Sequence, residues 1–230
     1  MDLQLSFAIL SAKIIRFLLI KFLRTGATAA PGLIALKLDN KLISKLSAKI
    51  SQGAIIVSGT NGKTTTSRLL FDMVSSNTKV MHNRQGSNLE RGIASALALN
   101  FSVFGKTKYK LAIWEVDEAT FPAVVTQTKP KIIVLLNLFR DQLDRYGEID
   151  SVREKWSMAL KKVSLKTLLI LNSDDPGIST LATGFSGKVS FYGVEDKKID
   201  LPKIEDTADV KHCLRCGAKL VYTSLFSSHM

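Results

Sequence analysis

The stretch from Ala54 to Leu70 restricts the fold more than any other. Four apolar residues, Ala54 to Val57, read as a buried strand. Gly59-Thr60-Asn61-Gly62-Lys63-Thr64-Thr65 follows and turns into a helical pattern from Ser67 to Val74. A strand, a glycine-containing turn and a helix in that order make a phosphate-binding loop. Glycine lets the backbone curl so that successive N–H groups face one anion, and the helix adds the positive end of its dipole. In such a loop Lys63 reaches the β- and γ-phosphates, and the Thr64 hydroxyl ligates Mg²⁺. The spacing is G-x-x-G-K-T-T. The commoner G-x-x-x-x-G-K-[ST] pattern would need a glycine where Val57 stands. A strand-to-helix turn with an incidental lysine is the plainer alternative; the strand before and the helix after argue against it.

The chain beyond this point alternates. Lys79–Met81, Tyr109–Val116, Lys131–Asn137, Lys166–Asn172 and Lys188–Tyr192 read as strands, most of them apolar throughout. Leu89–Phe104 and Ser151–Val163 carry helical patterns, and Asn83–Asn88 is a polar turn. Continuous apolar strands separated by helices predict an α/β fold with a mostly parallel sheet covered on both faces. Ligands of such sheets sit beyond the carboxyl ends of the strands. Three of those ends carry acidic or amide clusters: Glu115-Val116-Asp117-Glu118, the run from Asn137 through Asp141 to Gly147, and Asn172-Ser173-Asp174-Asp175-Pro176. Hard oxygen ligands of this kind hold Mg²⁺ between phosphates. Any one carboxylate can instead cap a helix or close a turn, and Asp174 and Asp175 before Pro176 fit that role. Glu115 lies between Trp114 and Val116, where an unpaired acid is costly.

With 230 residues the chain can bury a sizeable core. A net charge of +12 favours an anionic partner, although the cations are spread along the chain rather than blocked. The two cysteines lie three apart, which speaks for a reducing compartment rather than a disulfide-stapled secreted protein. Residues 5–23 are the most apolar part, yet Lys13, Arg16 and Lys21 interrupt them. That pattern predicts an amphipathic helix rather than a spanning one or a signal peptide. Packing on the main domain and contact with a membrane surface both remain open for it. Gly26–Gly32 reads as a loop, and Leu33–Ile50 as a helix whose lysines at 37, 41, 45 and 49 form a solvated face.

Gly59-Thr60-Asn61-Gly62-Lys63-Thr64-Thr65 resembles the loop of the Mur ligases. Asn83-Arg-Gln-Gly-Ser-Asn-Leu89, Glu115-Val-Asp-Glu-Ala119 and Asn137-Leu-Phe-Arg-Asp-Gln-Leu-Asp-Arg-Tyr-Gly-Glu148 resemble, within that family, the MurT branch. The resemblance runs from about residue 13 to the C-terminus. It implies an N-terminal helical segment over 1–50 and a central ATP-binding domain over 51–230. It also implies an ATP-dependent ligase that activates the α-carboxyl of D-glutamate in lipid II as an acyl phosphate. Ammonia from a GatD-like glutaminase subunit then gives D-isoglutamine for peptidoglycan synthesis and cell wall biogenesis. Carried over position by position, Gly59, Thr60, Asn61, Gly62, Lys63, Thr64, Thr65, Asn83 and Asn137 bind ATP. Thr64 and Glu115 hold Mg²⁺, and Lys63, Glu115 and Asp141 are the catalytic set. Most Mur ligases have a histidine, helping to hold a second metal, where Gln142 stands, which removes that ligand here. Lys155 is the nearest position for the family's carbamylated lysine. The implied setting is cytoplasmic, at the inner face of the cell membrane, with no nucleic-acid partner. Other Mur-fold ligases, of the folylpolyglutamate or cyanophycin type, are the alternative within the fold.

Cys213-Leu-Arg-Cys216-Gly217 has the form of one zinc knuckle, half of a tetrahedral site. The resemblance makes it the opening pair of a four-cysteine zinc ribbon inserted at 211–230. His229 allows a second reading, a partial zinc finger in a basic nucleic-acid-binding module. Two thiols without metal are the third. By the resemblance, a second cysteine pair and a C-terminal domain are expected beyond Met230, so the chain reads as an N-terminal portion of a longer ligase.

Overall fold

The computed structural model describes residues 2–23, 29–83, 87–139, 148–194, 210, 212–214 and 216–221. Asp141, Gln142 and His229 lie outside them. The apolar runs form six strands: β1 (Ala54–Ser58), β2 (Val80–His82), β3 (Leu111–Val116), β4 (Ile132–Leu135), β5 (Leu168–Asn172) and β6 (Lys188–Tyr192). They make one parallel sheet in the order β2-β3-β1-β4-β5-β6. β1, with all five residues buried, lies inside the sheet, so its carboxyl end is flanked by the ends of β3 and β4. From β1 the chain runs to the edge at β2, returns to β3 beside β1, and crosses to β4 before continuing to β5 and β6. The connections leaving the neighbours β1 and β4 thus diverge, and this is the switch point at which open α/β sheets place their ligands.

Helices cover the sheet: α4 (Lys63–Ser75), α5 (Glu90–Asn100), α6 (Phe121–Thr128), α7 (Glu148–Leu160) and the short α8 (Pro176–Ser179). α4 begins at Lys63, four residues before the periodic apolar pattern, because the loop itself supplies the first turn. α6 falls in a stretch with no evident helical signal. Pro122 starts it, and Val124, Val125, Thr126 and Thr128 are poor helix formers. Its helicity comes from burial: Phe121, Val124, Val125 and Thr128 face the core, and the Phe121 ring lies 4.5 Å from that of Trp156 on α7. Each large side chain buried this completely contributes roughly 1.5–3 kcal/mol.

The N-terminal part comprises α1 (Leu3–Leu18), which continues as a π-helical turn over Leu19–Leu23, then α2 (Ala30–Leu38) and α3 (Leu42–Ser47). Asp2 caps α1, its carboxylate accepting the Leu5 amide at 3.0 Å. Leu5, Ala8, Ile9 and Ala12 of α1 are buried in the same apolar cluster as Ile56, Trp114 and Trp156. α2 starts earlier than the loop reading of Gly26–Gly32 allows. Pro31 sits in its first turn, where a missing N–H is harmless. Gly32 is where α2 meets α5: a Cβ there would stand 1.9 Å from the Arg91 carbonyl oxygen.

The helix expected over Leu33–Ile50 is two helices. Asp39, extended and 1% exposed, ends α2. Its carboxylate accepts the Lys41 amide at 3.0 Å and the Lys45 ammonium at 2.7 Å. Lys45 also reaches Asp2 at 2.7 Å, so this lysine of the supposed solvated face is a tie between α1, α2 and α3. The mutual hydrogen bond lowers the Asp2 pKa and raises that of Lys45.

Candidate functional site

The loop between β1 and α4 is built by backbone that only glycine tolerates at two points. Gly62, the residue before α4, has φ +82°, and Gly59 has φ +145°. A Cβ on Gly59 would stand 2.9 Å from the Asn137 nitrogen and the Leu136 Cβ, so the loop lies directly on the chain leaving β4. That chain holds it with Asn137. The Thr60 amide donates to the Asn137 carbonyl at 2.9 Å. The Asn61 amide donates to Asn137 Oδ1 at 2.8 Å, and Asn137 Nδ2 donates back to the Asn61 carbonyl at 3.2 Å. The next residue is fixed in turn: the Leu138 amide donates to Asp175 Oδ2 at 2.8 Å, while Asp175 Oδ1 caps α8 through Ile178. Asp175 is therefore the cap its position before Pro176 suggests.

The amides of Thr60 and Asn61 are engaged by Asn137. Those of Lys63, Thr64 and Thr65 lie in the first turn of α4, where no intrahelical acceptor exists. No side chain caps this helix and no acid stands in its first turn. An uncapped 13-residue helix behind a glycine loop is a seat for an anion.

From the other side of β1 come the charged groups. Thr64 Oγ1 donates to Glu115 Oε1 at 2.9 Å, across from the carboxyl end of β3. Glu115 is the one residue of β3 that is not buried. The Lys63 ammonium donates to the carbonyls of Gly59 and, at 2.8 Å, Thr60, and pairs with Glu118 at 3.1 Å. Asn83, 5% exposed, extends β2 by its side chain. Its Oδ1 accepts the Glu115 amide at 3.0 Å, and its Nδ2 donates to the Glu115 carbonyl at 2.8 Å. Asn83 thus acts on the site through Glu115. A hydroxyl and a carboxylate 2.9 Å apart beside a lysine form the hard-oxygen set that suits Mg²⁺ next to a phosphate. Lys155, on α7, is exposed and has no bond to this group.

Residues 57–224 match the Mur ligase middle domain. The chain belongs to the Mur ligase family. Over 198 residues it is 35% identical to the lipid II isoglutaminyl synthase (glutamine-hydrolyzing) subunit MurT of Staphylococcus aureus strain COL, with 85% of this chain and 43% of the relative aligned. MurT of Streptococcus pneumoniae is 33% identical over 177 residues, covering 76% of this chain and 38% of the relative. The chain thus spans less than half the length of these relatives. Among solved structures, MurF from Thermotoga maritima in complex with ADP superposes with a TM-score of 0.59 at 19% identity, over 70% of this chain and 37% of that one. MurF from Acinetobacter baumannii gives 0.57 at 18%, over 71% and 35%. At these identities the two structures show the shared fold.

Within this Mur ligase domain two site contacts were missed by sequence reasoning. Glu118 was visible only as one acid of a cluster; its partnership with Lys63 bridges 55 positions. Trp156, read simply as part of a helix, donates its indole N–H to the Glu118 carbonyl at 2.9 Å and holds that turn against α7. At the C-terminus, Cys213 and Cys216 flank a tight turn. The Cys213 amide donates to the Ala218 carbonyl at 2.7 Å, the Gly217 amide donates to the Cys213 carbonyl at 2.8 Å, and Gly217 has φ +72°. Among the described residues no three His, Cys, Asp or Glu side chains converge, so no zinc site is formed by them.

Proposed function

We propose that this chain carries the ATP-binding half-site of a ligase that amidates lipid II. The observation that carries the nucleotide part is the convergence of the uncapped α4 N-terminus, Lys63 and the Thr64–Glu115 pair on one point. The substrate class comes from the lipid II isoglutaminyl synthase subunits at 33–35% identity, against 25–30% for relatives named UDP-N-acetylmuramate–L-alanine ligase or UDP-N-acetylmuramoylalanine–D-glutamate ligase. In this reading the α-carboxylate of the D-glutamate of lipid II attacks the γ-phosphorus of ATP and displaces ADP. Ammonia, released from glutamine by a GatD-like glutaminase subunit, then attacks the acyl carbon, and inorganic phosphate and a proton leave as the amide forms. The setting is the cytoplasm, at the inner membrane face where a lipid-linked substrate is met, without nucleic acid.

Each residue has a task in this scheme. The amides of Lys63, Thr64 and Thr65 bind the phosphate chain along the helix dipole. Lys63 leaves Glu118 and the loop carbonyls for phosphate oxygens, where its charge offsets what builds up during transfer. Thr64 and Glu115 would supply oxygen ligands to Mg²⁺, which when bound would neutralise phosphate charge. Asn137 keeps the loop in its curled form, and Asn83 keeps Glu115 facing Thr64. Asp141 completes the catalytic set, and Cys213 and Cys216 would supply two of the thiolates of a structural zinc, whose other ligands are not among the described residues.

Calorimetric titration with Mg-ATP tests the nucleotide part. The chain should bind, and Lys63→Ala should lose binding while melting as the parent does. Unchanged affinity in that variant would remove the loop from the proposed site. Amidation of lipid II is then assayed with the full-length ligase and its glutaminase.

A further inference from the structure

α1 buries one side and exposes another, and the exposed side is apolar. Leu5, Ala8, Ile9 and Ala12 face the core. Opposite them, Leu3, Phe7, Leu10, Ile14 and Phe17 are 74, 59, 46, 49 and 61% exposed. Their spacing of four, three, four and three places them in one stripe along the helix. Phe22, just beyond, is 70% exposed. Lys21 stands between the two phenylalanines at the end of the stripe, its ammonium 5.7 Å from each ring centroid.

We propose that this face of α1 docks on an anionic lipid bilayer, lying in the plane of the interface. The charge pattern selects this occupant. From Leu3 to Leu38 the sequence has five cations, Lys13, Arg16, Lys21, Arg24 and Lys37, and no carboxylate. Acidic headgroups complement such a segment, each cation near the surface strengthening binding roughly fivefold. A lysine flanked by two exposed rings suits the boundary between headgroups and acyl chains, where long cationic side chains keep the charge in water and the stem in the apolar layer. A second copy of the chain is a poorer occupant: two α1 helices face to face would bring like charges together with no acid between Leu3 and Leu23 to pair them. The helix from Leu3 to Phe22 is long and apolar enough to cross a bilayer, but its buried side opposes spanning. To cross a bilayer, α1 would have to withdraw Ala8, Ile9 and Ala12, none of them exposed, from the core, and break the Lys13 bond to the Leu99 carbonyl at 3.2 Å. The inference shares the location proposed above but rests on α1 alone, so its failure leaves the nucleotide site untouched.

The test is sedimentation of the whole chain with vesicles of phosphatidylglycerol or of phosphatidylcholine, at low and high salt. The chain should bind the phosphatidylglycerol vesicles and release them at high salt, with weak binding to phosphatidylcholine. Phe7→Ser/Phe17→Ser should weaken partition by roughly tenfold or more. Lys21→Gln should weaken it roughly fivefold for phosphatidylglycerol only. Both variants change exposed or half-exposed side chains, and unchanged melting and Mg-ATP titrations would show that the fold is kept. Absence of binding by the parent chain, equal binding to both vesicle types, or binding untouched by Phe7→Ser/Phe17→Ser each overturns the proposal. So does a lipid-free dimer in analytical ultracentrifugation that the phenylalanine variant abolishes, since the face would then be a seam between copies.

Discussion

Replacing Asn83 by alanine tests how the metal side of the site is held. β2 and β3 pair in register only as far as His82 and Ile113. Beyond that point the Asn83 carboxamide takes over the role of a strand, satisfying both the amide and the carbonyl of Glu115 at 3.0 and 2.8 Å. Asn83→Ala removes both bonds and leaves two polar groups of β3 without their partner. At about 1–2 kcal/mol for each, the expected loss is roughly 2–4 kcal/mol. For a chain of this size that lowers Tm by roughly 5–15 °C. Asn83→Asp keeps an acceptor for the Glu115 amide but loses the donor to its carbonyl, so it should retain about half of that stability. Melting followed by circular dichroism measures the first effect. The second effect is on function: a Glu115 no longer fixed at its backbone should weaken Mg-dependent nucleotide binding while Mg-independent binding to the loop amides changes little. Calorimetry with and without Mg²⁺ separates the two. A variant that melts with the parent would show that water replaces the clamp at no cost. A variant that melts early yet binds Mg-ATP as before would show that Glu115 is aimed by Thr64 alone.

Gly59→Ala should cost roughly 2–4 kcal/mol in denaturant unfolding, since it forces a side chain into a left-handed backbone against the Asn137 nitrogen; a neutral result would contradict the loop's contact with the chain after β4. Gly32→Ala should separate α2 from α5, because the Arg91 oxygen lies 1.9 Å from the new Cβ. Limited proteolysis should then cut the N-terminal helices first, and resistance equal to the parent's would refute that packing. Tyr192 sits partly buried near Asp174 and Asp175; burial first, then those carboxylates, push its phenol up to about 12. Because the folded pKa lies above the ordinary value of 10.0, its contribution to stability is complete below pH 10 and is lost as pH rises towards 12. The difference in phenolate absorbance between the folded chain and Tyr192→Phe should show this residue titrating near 12, and a transition near 10 would refute it.

The sheet was legible because its strands are short apolar runs, and apolar runs of that length between polar turns have few other uses. The phosphate loop was legible because glycines, lysine and threonine stand in fixed order along the chain. What lay hidden depends on distance in sequence. Asp39 stops a helix that its neighbours favour because Lys45 and the Lys41 amide satisfy its buried carboxylate. α6 is helical against its local preference because Phe121 and Val124 are drawn into the core. Asn83 has the composition of a turn residue, and nothing local says that its amide will close on Glu115, 32 positions away. The exposed stripe of α1 could be read as apolar but not as uncovered. Which of its two apolar sides the domain uses is decided by α2 and α5.

The double anchoring of the loop by Asn137 has a consequence for a chain made from its N-terminus. Residues 59–64 leave the ribosome long before the groups that shape them. Thr60 and Asn61 wait for Asn137, and the Leu138 amide beside it waits for Asp175. Glu118, the partner of Lys63, emerges earlier. A nascent chain ending before Asn137 would hold the whole phosphate motif in sequence and lack the contacts that curl it.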